Sequence, residues 1–257
     1  RGRFDFMHRF FIDKEFIKGD MVKITGGDFH HISYSLRLKP GDKVIVCDGV
    51  GNDNTVLLNQ FTDDYISGKI IKREKNMNEP DLNITLAQAV PKKRNMEYVI
   101  QKSTEIGINR IIPMETKRTI VKLSGKKKKK RIKRWQKIAR EAAKQSQRGR
   151  IPTVSDIYTV KRLCSHMVDN YQLNILCYAG NETKSLPQLL KRFELEQIKN
   201  IMIIIGPEGG FNSKEVSQIT ENENSFSVNL GPRILRTETA GLVALTSIFY
   251  QSGELGR

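Results

Sequence analysis

The pattern of hydrophobic and polar positions changes its period near residue 80. From Leu82 onward, continuous apolar runs alternate with segments whose apolar residues recur at helical spacing. Such alternation predicts an α/β domain built on a mostly parallel sheet. The predicted strands span 84–90, 110–114, 173–178, 201–205 and 226–230, and the predicted helices span 95–106, 128–146, 186–193, a segment from 213, and about 238–250.

The residues before this change have shorter apolar runs, separated by turn-forming sequences such as Lys-Pro-Gly-Asp at 39–42. They predict strands over 8–12, 21–24, 43–47, 54–59 and 65–72, with one short helix over 28–38. Several short strands at this spacing predict a small β-barrel. The polar, proline-containing stretch 76–81 predicts a boundary between domains 1–78 and 79–257. Met7 is a candidate natural start residue, which would make residues 1–6 a non-native extension.

Two glycine-bearing turns directly follow predicted strands. The first, which we call the glycine turn, covers residues 206–210 and reads Gly-Pro-Glu-Gly-Gly. The second turn covers residues 230–240 and reads Leu-Gly-Pro-Arg-Ile-Leu-Arg-Thr-Glu-Thr-Ala. Ligands of open parallel sheets bind beyond the carboxyl ends of the strands. We therefore expect these turns to lie at neighbouring strand ends and to form one pocket from their backbones.

The glycine turn limits which ligand that pocket can take. It lacks the Gly-Lys-Ser/Thr ending of a P-loop and the Gly-x-Gly-x-x-Gly pattern of a dinucleotide site. Glu208 within it would repel a phosphate, whereas a ligand with a positive or neutral face, such as an adenosyl sulfonium, is compatible. The alternative is that this segment is a turn without a ligand.

The charge of the chain indicates a polyanionic partner. Lys and Arg number 44 against 28 Asp and Glu, which gives a formal net charge of +16 at pH 7. Nucleic acid is the commonest partner of so basic a protein, although solubility alone is the alternative explanation. Eight of the nine residues 126–134 are Lys or Arg. Such a run is usually a solvated helix face, but together with the net charge of +16 it predicts contacts with RNA phosphates, which position the RNA without reading its bases.

Other features of the sequence argue against several classes of protein. The three cysteines lack the spacing of a disulfide framework or a zinc site, and they predict free thiols in a reducing cytoplasm. No histidine lies at ligand spacing from them, and we expect no metal site. No apolar run reaches the ~20 residues that span a bilayer. The N-terminus has no hydrophobic core of a signal peptide, so we expect a cytoplasmic protein.

The motifs themselves resemble those of a known family. Residues 204–211 and 230–240 together closely resemble the signature of the RsmE family, which are ribosomal RNA small-subunit methyltransferases of the SPOUT superfamily. The sequence differs from the family pattern at Asn95, where the family often has Lys. The resemblance continues through residues 7–11, 36–42, 96–107 and 141–146, and therefore covers nearly the whole chain from Met7.

The resemblance implies a PUA-like N-terminal β-barrel that binds RNA, followed by a SPOUT domain with a parallel sheet and a C-terminal trefoil knot. It also implies a homodimer and S-adenosyl-L-methionine as the cofactor. The implied reaction is methylation of N3 of one uridine in the 16S ribosomal RNA of the small subunit. Two alternatives stay open: a SPOUT enzyme that methylates a ribose 2′-hydroxyl, and a non-catalytic RNA-binding ribosome-assembly factor.

The second turn supplies the candidate catalytic residues, Arg236 and Glu238. Uridine N3 carries a proton at neutral pH, and its loss leaves an anion that the guanidinium of Arg236 would stabilise. Glu238 is the candidate acceptor of that proton. Alternatively, Arg236 forms a salt bridge to Glu238 or clamps a phosphate, and Glu238 only interacts with the helix dipole. Thr237 has the alternative role of a helix cap.

The candidate binding residues fall into two sets, and no residue is predicted to bind a metal. For the cofactor they are Tyr178, Ile205, Gly206, Pro207, Glu208, Gly209, Gly210, Leu230, Gly231, Leu235, Arg236 and Thr237. Tyr178 alternatively belongs to the hydrophobic core. For RNA they are Arg9, Arg37, Lys39, Arg131, Arg134 and Arg148.

Overall fold

The computed structural model describes residues 7–121, 123–178, 180 and 184–256, so the proposed extension 1–6 lies outside the described residues. The chain forms two compact units. The first unit contains the residues up to Glu79 together with Ala143–Ile151, and the second contains Pro80–Ala142 and the residues from Pro152 onward. This division differs from the predicted contiguous domains 1–78 and 79–257 in the placement of Ala143–Ile151.

Apolar and charged contacts both tie the segment Ala143–Ile151 to the first unit. Ala143 lies in an apolar cluster with Phe11 and Cys47. The carboxylate of Glu79 accepts hydrogen bonds from the Arg148 guanidinium at 2.8 and 3.2 Å. Contacts between residues so distant in sequence leave no trace in a hydrophobicity pattern, which is why the prediction missed this segment.

The first unit is a curled six-stranded sheet. Its strands are β1 (Arg9–Phe11), β2 (Ile17–Lys18), β3 (Met21–Thr25), β4 (Lys43–Cys47), β5 (Asn52–Phe61) and β6 (Tyr65–Lys75). They pair in the order β1-β4-β5-β6-β3-β2, antiparallel except for the parallel pair β1–β4. Two register shifts interrupt the pairing of β5 with β6, and such bulges bend a sheet. At Gly68 a Cβ would lie 2.9 Å from the Leu57 carbonyl oxygen, so the two strands approach closely.

The helix predicted over 28–38 is shorter and begins earlier. It consists of α1 (Gly26–His30), which continues as a π-helical turn over His31–Ser35. Arg37 then adopts a left-handed φ of 55°, which ends the helical path.

The second unit is built on a parallel sheet, as predicted. Its strands are β7 (Asn83–Ala89), β8 (Arg110–Glu115), β9 (Thr153–Val154), β10 (Tyr158–Thr159), β11 (Leu173–Cys177), β12 (Lys184–Ser185), β13 (Asn200–Ile205) and β14 (Ser225–Asn229). Their order is β10-β8-β7-β13-β11-β14-β12, with β9 also paired to β8, and every pairing is parallel. Central strands such as β13 are apolar on both faces, because helices cover both sides of the sheet.

Six helices surround this sheet in the described part of the second unit: α2 (Asn95–Ile106), α3 (Gly125–Gln145), α4 (Val160–Met167), α5 (Leu186–Leu190), α6 (Ser213–Thr220) and α7 (Thr237–Gln251). Helix α2 has the predicted bounds and ends at Gly107, whose φ of 126° favours glycine. The pattern did not predict α4, although Thr159 caps it and Val160, Leu163 and Met167 are buried at helical spacing.

Two apolar clusters lie in the second unit. One contains buried residues of α2, α3, α5 and α7, and the other contains buried residues of α4 together with Ile219 of α6. In the described ranges, no helix combines the length and the apolar character needed to cross a membrane.

Candidate active site

The candidate site lies where three parallel strands of the second unit end. Strand β11 lies between β13 and β14, so the glycine turn after β13 and the second turn after β14 are not at adjacent strand ends. The expectation of neighbouring ends was wrong in this respect. The intervening strand brings Tyr178 between the two turns, and its backbone N–H donates to the Val228 carbonyl at 2.9 Å.

A cavity of about 740 Å³ opens between these turns. Ten of the twelve residues predicted to bind the cofactor line it, which are Tyr178, Ile205, Gly206, Pro207, Glu208, Gly209, Gly210, Leu235, Arg236 and Thr237. The other two, Leu230 and Gly231, line an adjoining cavity of about 170 Å³. Tyr178 and Leu235 belong to the walls of both cavities. The structure therefore gathers the predicted set around one continuous concave region.

Local structure explains why two positions of the glycine turn are glycine. At Gly206 a Cβ would lie 3.0 Å from the ring of Phe211, so a side chain there would crowd the wall of the cavity. Gly210 adopts a φ of 67°, and its N–H donates to the Pro207 carbonyl at 2.8 Å. This tight reversal leaves the backbone of the turn lining the cavity.

Thr237 joins the start of α7 to the glycine turn. Its hydroxyl donates to the Gly206 carbonyl at 2.6 Å and accepts from the side-chain amide of Gln88 at 2.9 Å. Gln88 is fully buried at the end of β7. The N-cap position of α7 is Arg236, and Thr237 is the first helical residue. The alternative role of Thr237 as the helix cap was therefore wrong.

Arg236 and Glu238 both line the cavity but do not pair with each other. Within the described residues, no carboxylate oxygen lies within 4.0 Å of the Arg236 guanidinium, so the alternative salt bridge to Glu238 is not formed. Glu238 instead accepts a hydrogen bond from the Asn95 side chain at 2.9 Å. The position where the sequence departs from the RsmE pattern thus holds the candidate proton acceptor.

Several lining residues were absent from the sequence prediction. They are Lys92, Lys93, Asn95, Arg118, Cys177, Phe211, Ile234 and Ala240. Lys92 and Lys93 follow the end of β7, and Arg118 follows the end of β8. The carboxyl edge of a parallel sheet collects such loops, so cations directly after β7 and β8 were the signal that could have found them.

Cys177 forms a neutral part of the cavity wall. Burial raises the pKa of its thiol to about 12. The thiol is therefore protonated at neutral pH and adds no charge beside a ligand.

Two of the arginines predicted to bind RNA are used inside the first unit. Arg9 donates to both carboxylate oxygens of Asp53, at 2.6 and 2.8 Å. Arg148 is 2% exposed and pairs with Glu79. A buried guanidinium requires such a partner. Both side chains hold distant parts of the chain together, so the structure gives each a structural role, and their contact with RNA stays a prediction.

The other predicted RNA contacts lie nearer the surface. Arg37 and Lys39 are exposed in the first unit. On α3, Arg131 is half-buried, and Arg134 is exposed and pairs with Glu97 at 2.8 Å. Exposed lysines in the basic run 126–134 of the same helix are Lys126, Lys127, Lys129, Lys130 and Lys133. Among the residues that the structure describes, no group of three His, Cys, Asp or Glu side chains is arranged to hold a metal ion.

This architecture, a parallel sheet with a cavity at its strand ends and a curled sheet in a separate unit, belongs to an RNA methyltransferase, as two family models show. The sequence-family model of the RNA methyltransferase domain matches residues 78–249. The sequence-family model of the RNA methyltransferase PUA domain matches residues 24–53. The chain belongs to the RsmE family. It is 35% identical to ribosomal RNA small subunit methyltransferase E of Bacillus subtilis, over 96% of this chain and 97% of that protein.

Further relatives agree with this assignment. The methyltransferase E of Synechocystis is 33% identical, over 94% of this chain and 77% of the relative. The crystal structure of ribosomal RNA small subunit methyltransferase E from Neisseria gonorrhoeae, bound to S-adenosyl methionine, is similar with a TM-score of 0.81. That protein is 30% identical, and the match covers 95% of this chain and 97% of the other.

Proposed function

We propose that this protein transfers a methyl group from S-adenosyl-L-methionine to N3 of one uridine in the 16S ribosomal RNA of the small subunit. The observation that carries the proposal is the cavity between the glycine turn and the second turn, with Arg236 and Glu238 unpaired with each other in its wall. Membership of the RsmE family supports the substrate and the cofactor. Because ribosomal RNA is the proposed substrate, we place the reaction in the cytoplasm.

The residues of the cavity fit the methyl donor. A volume of about 740 Å³ lies in the usual range for small-molecule sites. The backbone of the glycine turn and the apolar side chains of Ile205, Leu235 and Phe211 suit an adenosyl group, and the carboxylate of Glu208 suits a cationic ligand. When bound, the cofactor supplies a methyl group already activated by a sulfonium. The protein then has to orient the acceptor and free its lone pair.

Arg236 and Glu238, two charged groups of the second turn, free the lone pair of the acceptor. Arg236 stabilises the negative charge that spreads over N3 and the flanking carbonyl oxygens when the uridine loses its proton. Glu238 accepts this proton, and the hydrogen bond from Asn95 at 2.9 Å holds its carboxylate in place. The hydrogen bond from the Thr237 hydroxyl to the Gly206 carbonyl keeps α7, and with it both groups, against the glycine turn.

The test uses small-subunit RNA from cells that lack this protein, incubated with the purified protein and methyl-labelled cofactor. Digestion to nucleosides followed by mass spectrometry is expected to yield N3-methyluridine. A ribose-methylated nucleoside would instead support 2′-O-methylation. RNA binding without product, and without heat on calorimetric titration with the cofactor, would support a non-catalytic assembly factor.

We also propose that the protein acts as a homodimer and that its C-terminal region forms a trefoil knot, as the family implies. A groove of about 630 Å³ supports the dimer, since it is lined by Pro187, Leu190, Leu242, Val243 and Tyr250 among others. Tyr250 is 76% exposed, which is unusual for an aromatic side chain beside an apolar groove. Light scattering is expected to report a dimer for the wild type and a monomer for Val243→Asp, because the variant places a charge in the apolar groove. A monomeric wild type would contradict the dimer.

A further inference from the structure

The cavity of the candidate active site has more cations in its wall than carboxylates. Lys92, Lys93, Arg118 and Arg236 face two acidic residues, Glu208 and Glu238. Neutral donors hold both carboxylates, since Glu208 accepts from the backbone N–H of Lys92 at 2.9 Å and Glu238 accepts from the Asn95 amide at 2.9 Å. In the described chain no carboxylate lies within 4.0 Å of the four cations. The wall therefore carries positive charge that the protein does not neutralise.

The same two hydrogen bonds fix the loop between β7 and α2 at both its ends. Glu208 of the glycine turn holds the start of the loop at Lys92, and Glu238 of α7 holds its end at Asn95. Between these anchors Lys93 adopts a φ of 56°, in the left-handed region that is unfavourable for residues other than glycine. Conformations of this kind persist where the surroundings impose them, and they concentrate at binding sites.

Arg118 belongs to the same rim of the cavity. One of its guanidinium nitrogens donates to the Gly209 carbonyl at 2.8 Å. A guanidinium has five N–H donors, so others are available for a ligand. The loops after β7 and β8 thus both contact the glycine turn, and each also presents a cation at the cavity.

We propose that Lys93, assisted by Lys92 and Arg118, forms an anion subsite at the cavity that binds a phosphodiester group of the RNA beside the reacting nucleotide. The inference rests on the proposed function. The methyl donor does not account for this charge, because its sulfonium and ammonium outnumber its single carboxylate. An RNA strand that brings a base to the cavity carries one negative charge per nucleotide, and binding it requires cations at the mouth. Glu208 then acts as a positioning residue, since it holds the loop from the cofactor side.

The decisive variant is Lys93→Gly, which removes the ammonium group and tolerates the left-handed backbone. We expect it to raise the KM for unmodified 16S ribosomal RNA about tenfold, as expected for one charge-assisted contact. The dissociation constant of the cofactor should stay as in the wild type. The slope of log affinity for that RNA against log salt should fall by about one. Lys93→Arg, which keeps the charge, should retain most of the RNA affinity.

The matched control is Lys199→Ala, because Lys199 is exposed just before β13, at the opposite edge of the sheet. It should change none of these quantities. Weaker cofactor binding by Lys93→Gly, with unchanged RNA affinity and salt slope, would assign the subsite to the cofactor carboxylate and overturn the proposal. RNA affinity is measured without turnover, so a failure of the proposed methyl transfer would be distinguished from a failure of the subsite.

Discussion

Residues two positions apart in the second turn have different surroundings. Arg236 has no carboxylate partner in the described chain, whereas Glu238 accepts a hydrogen bond from the neutral amide of Asn95. A direct ion pair between them would have neutralised both groups. Because an amide holds Glu238 instead, neither charged group neutralises the other, as the roles proposed for Arg236 and Glu238 require.

Replacing Arg236 by Ala is expected to lower kcat for methyl transfer by roughly 100-fold or more, since the developing anion loses its charged partner. The affinity for the cofactor should change little, because the side chain is exposed and the glycine turn is untouched. Single-turnover rates with labelled cofactor and calorimetric titration measure the two effects. Arg236→Lys should recover part of the rate, and near-normal turnover by Arg236→Ala would refute the catalytic role.

Cys177 gives a prediction that depends on pH. Burial raises the pKa of its thiol to about 12, whereas an unfolded cysteine has a pKa of about 8.5. The folded protein therefore retains this proton while the unfolded chain loses it, so stability is unaffected below about pH 8.5 and falls as the pH rises towards 12. Alkylation by iodoacetamide at pH 9, followed by mass spectrometry, should be much slower at Cys177 in the native protein than in denaturant. Rapid native alkylation would contradict this assignment.

At the scale of elements, Glu79 organises the segment Ala143–Ile151 of the first unit. Its carboxylate accepts from the Arg148 guanidinium and from the backbone N–H groups of Gly149 and Arg150, at distances of 2.8 to 3.2 Å. Gly149 is required there, because an added Cβ would lie 2.5 Å from the Cβ of Asn76. One acidic side chain therefore satisfies several donors in a buried turn.

Truncating Arg148 to Ala is expected to destabilise the protein by about 3–5 kcal/mol, the usual cost of leaving a buried charge without its partner. Urea unfolding followed by circular dichroism measures the loss. The exposed Arg37 is the comparison, and Arg37→Gly should cost little stability because glycine suits its left-handed backbone. A variant Arg148→Ala as stable as the wild type, but weaker in RNA binding, would contradict this structural role and support the RNA contact inferred from the sequence.

Periodicity was informative where an element is long and its neighbours are close in sequence. Helix α2 has its predicted bounds because Met96, Val99 and Ile100 mark one face and a glycine ends it. The two-residue strand β12 is too short for a pattern, whereas α4 has a cap at Thr159 and buried residues at helical spacing that the prediction overlooked. The two turns that line the cavities were predictable because each is one continuous motif. The loop at Lys93 and the ion pairs of Arg9 and Arg148 were not, because their partners lie on distant segments.

At the scale of the whole molecule, part of the net charge of +16 is concentrated on α3. Lys128 of this helix pairs with Asp156 at 2.9 Å, and Arg134 pairs with Glu97 at 2.8 Å. The exposed lysines of its basic run 126–134 have no carboxylate within 4.0 Å among the described residues, and they are Lys126, Lys127, Lys129, Lys130 and Lys133. A solvated face and an RNA-binding face both fit such a helix, so a measurement must separate them.

Replacing these five lysines by Gln should weaken binding of 16S ribosomal RNA and leave cofactor affinity unchanged. Each lost phosphate contact lowers the slope of log affinity against log salt by about 0.7 to 0.9, so the slope counts the contacts. The matched control replaces five other exposed lysines of the second unit, Lys161, Lys184, Lys191, Lys199 and Lys214, and has the same net charge. An RNA-binding helix predicts a larger loss of slope for the α3 variant than for the control. Equal losses would mean that only the total charge attracts RNA and that α3 is a solvated surface.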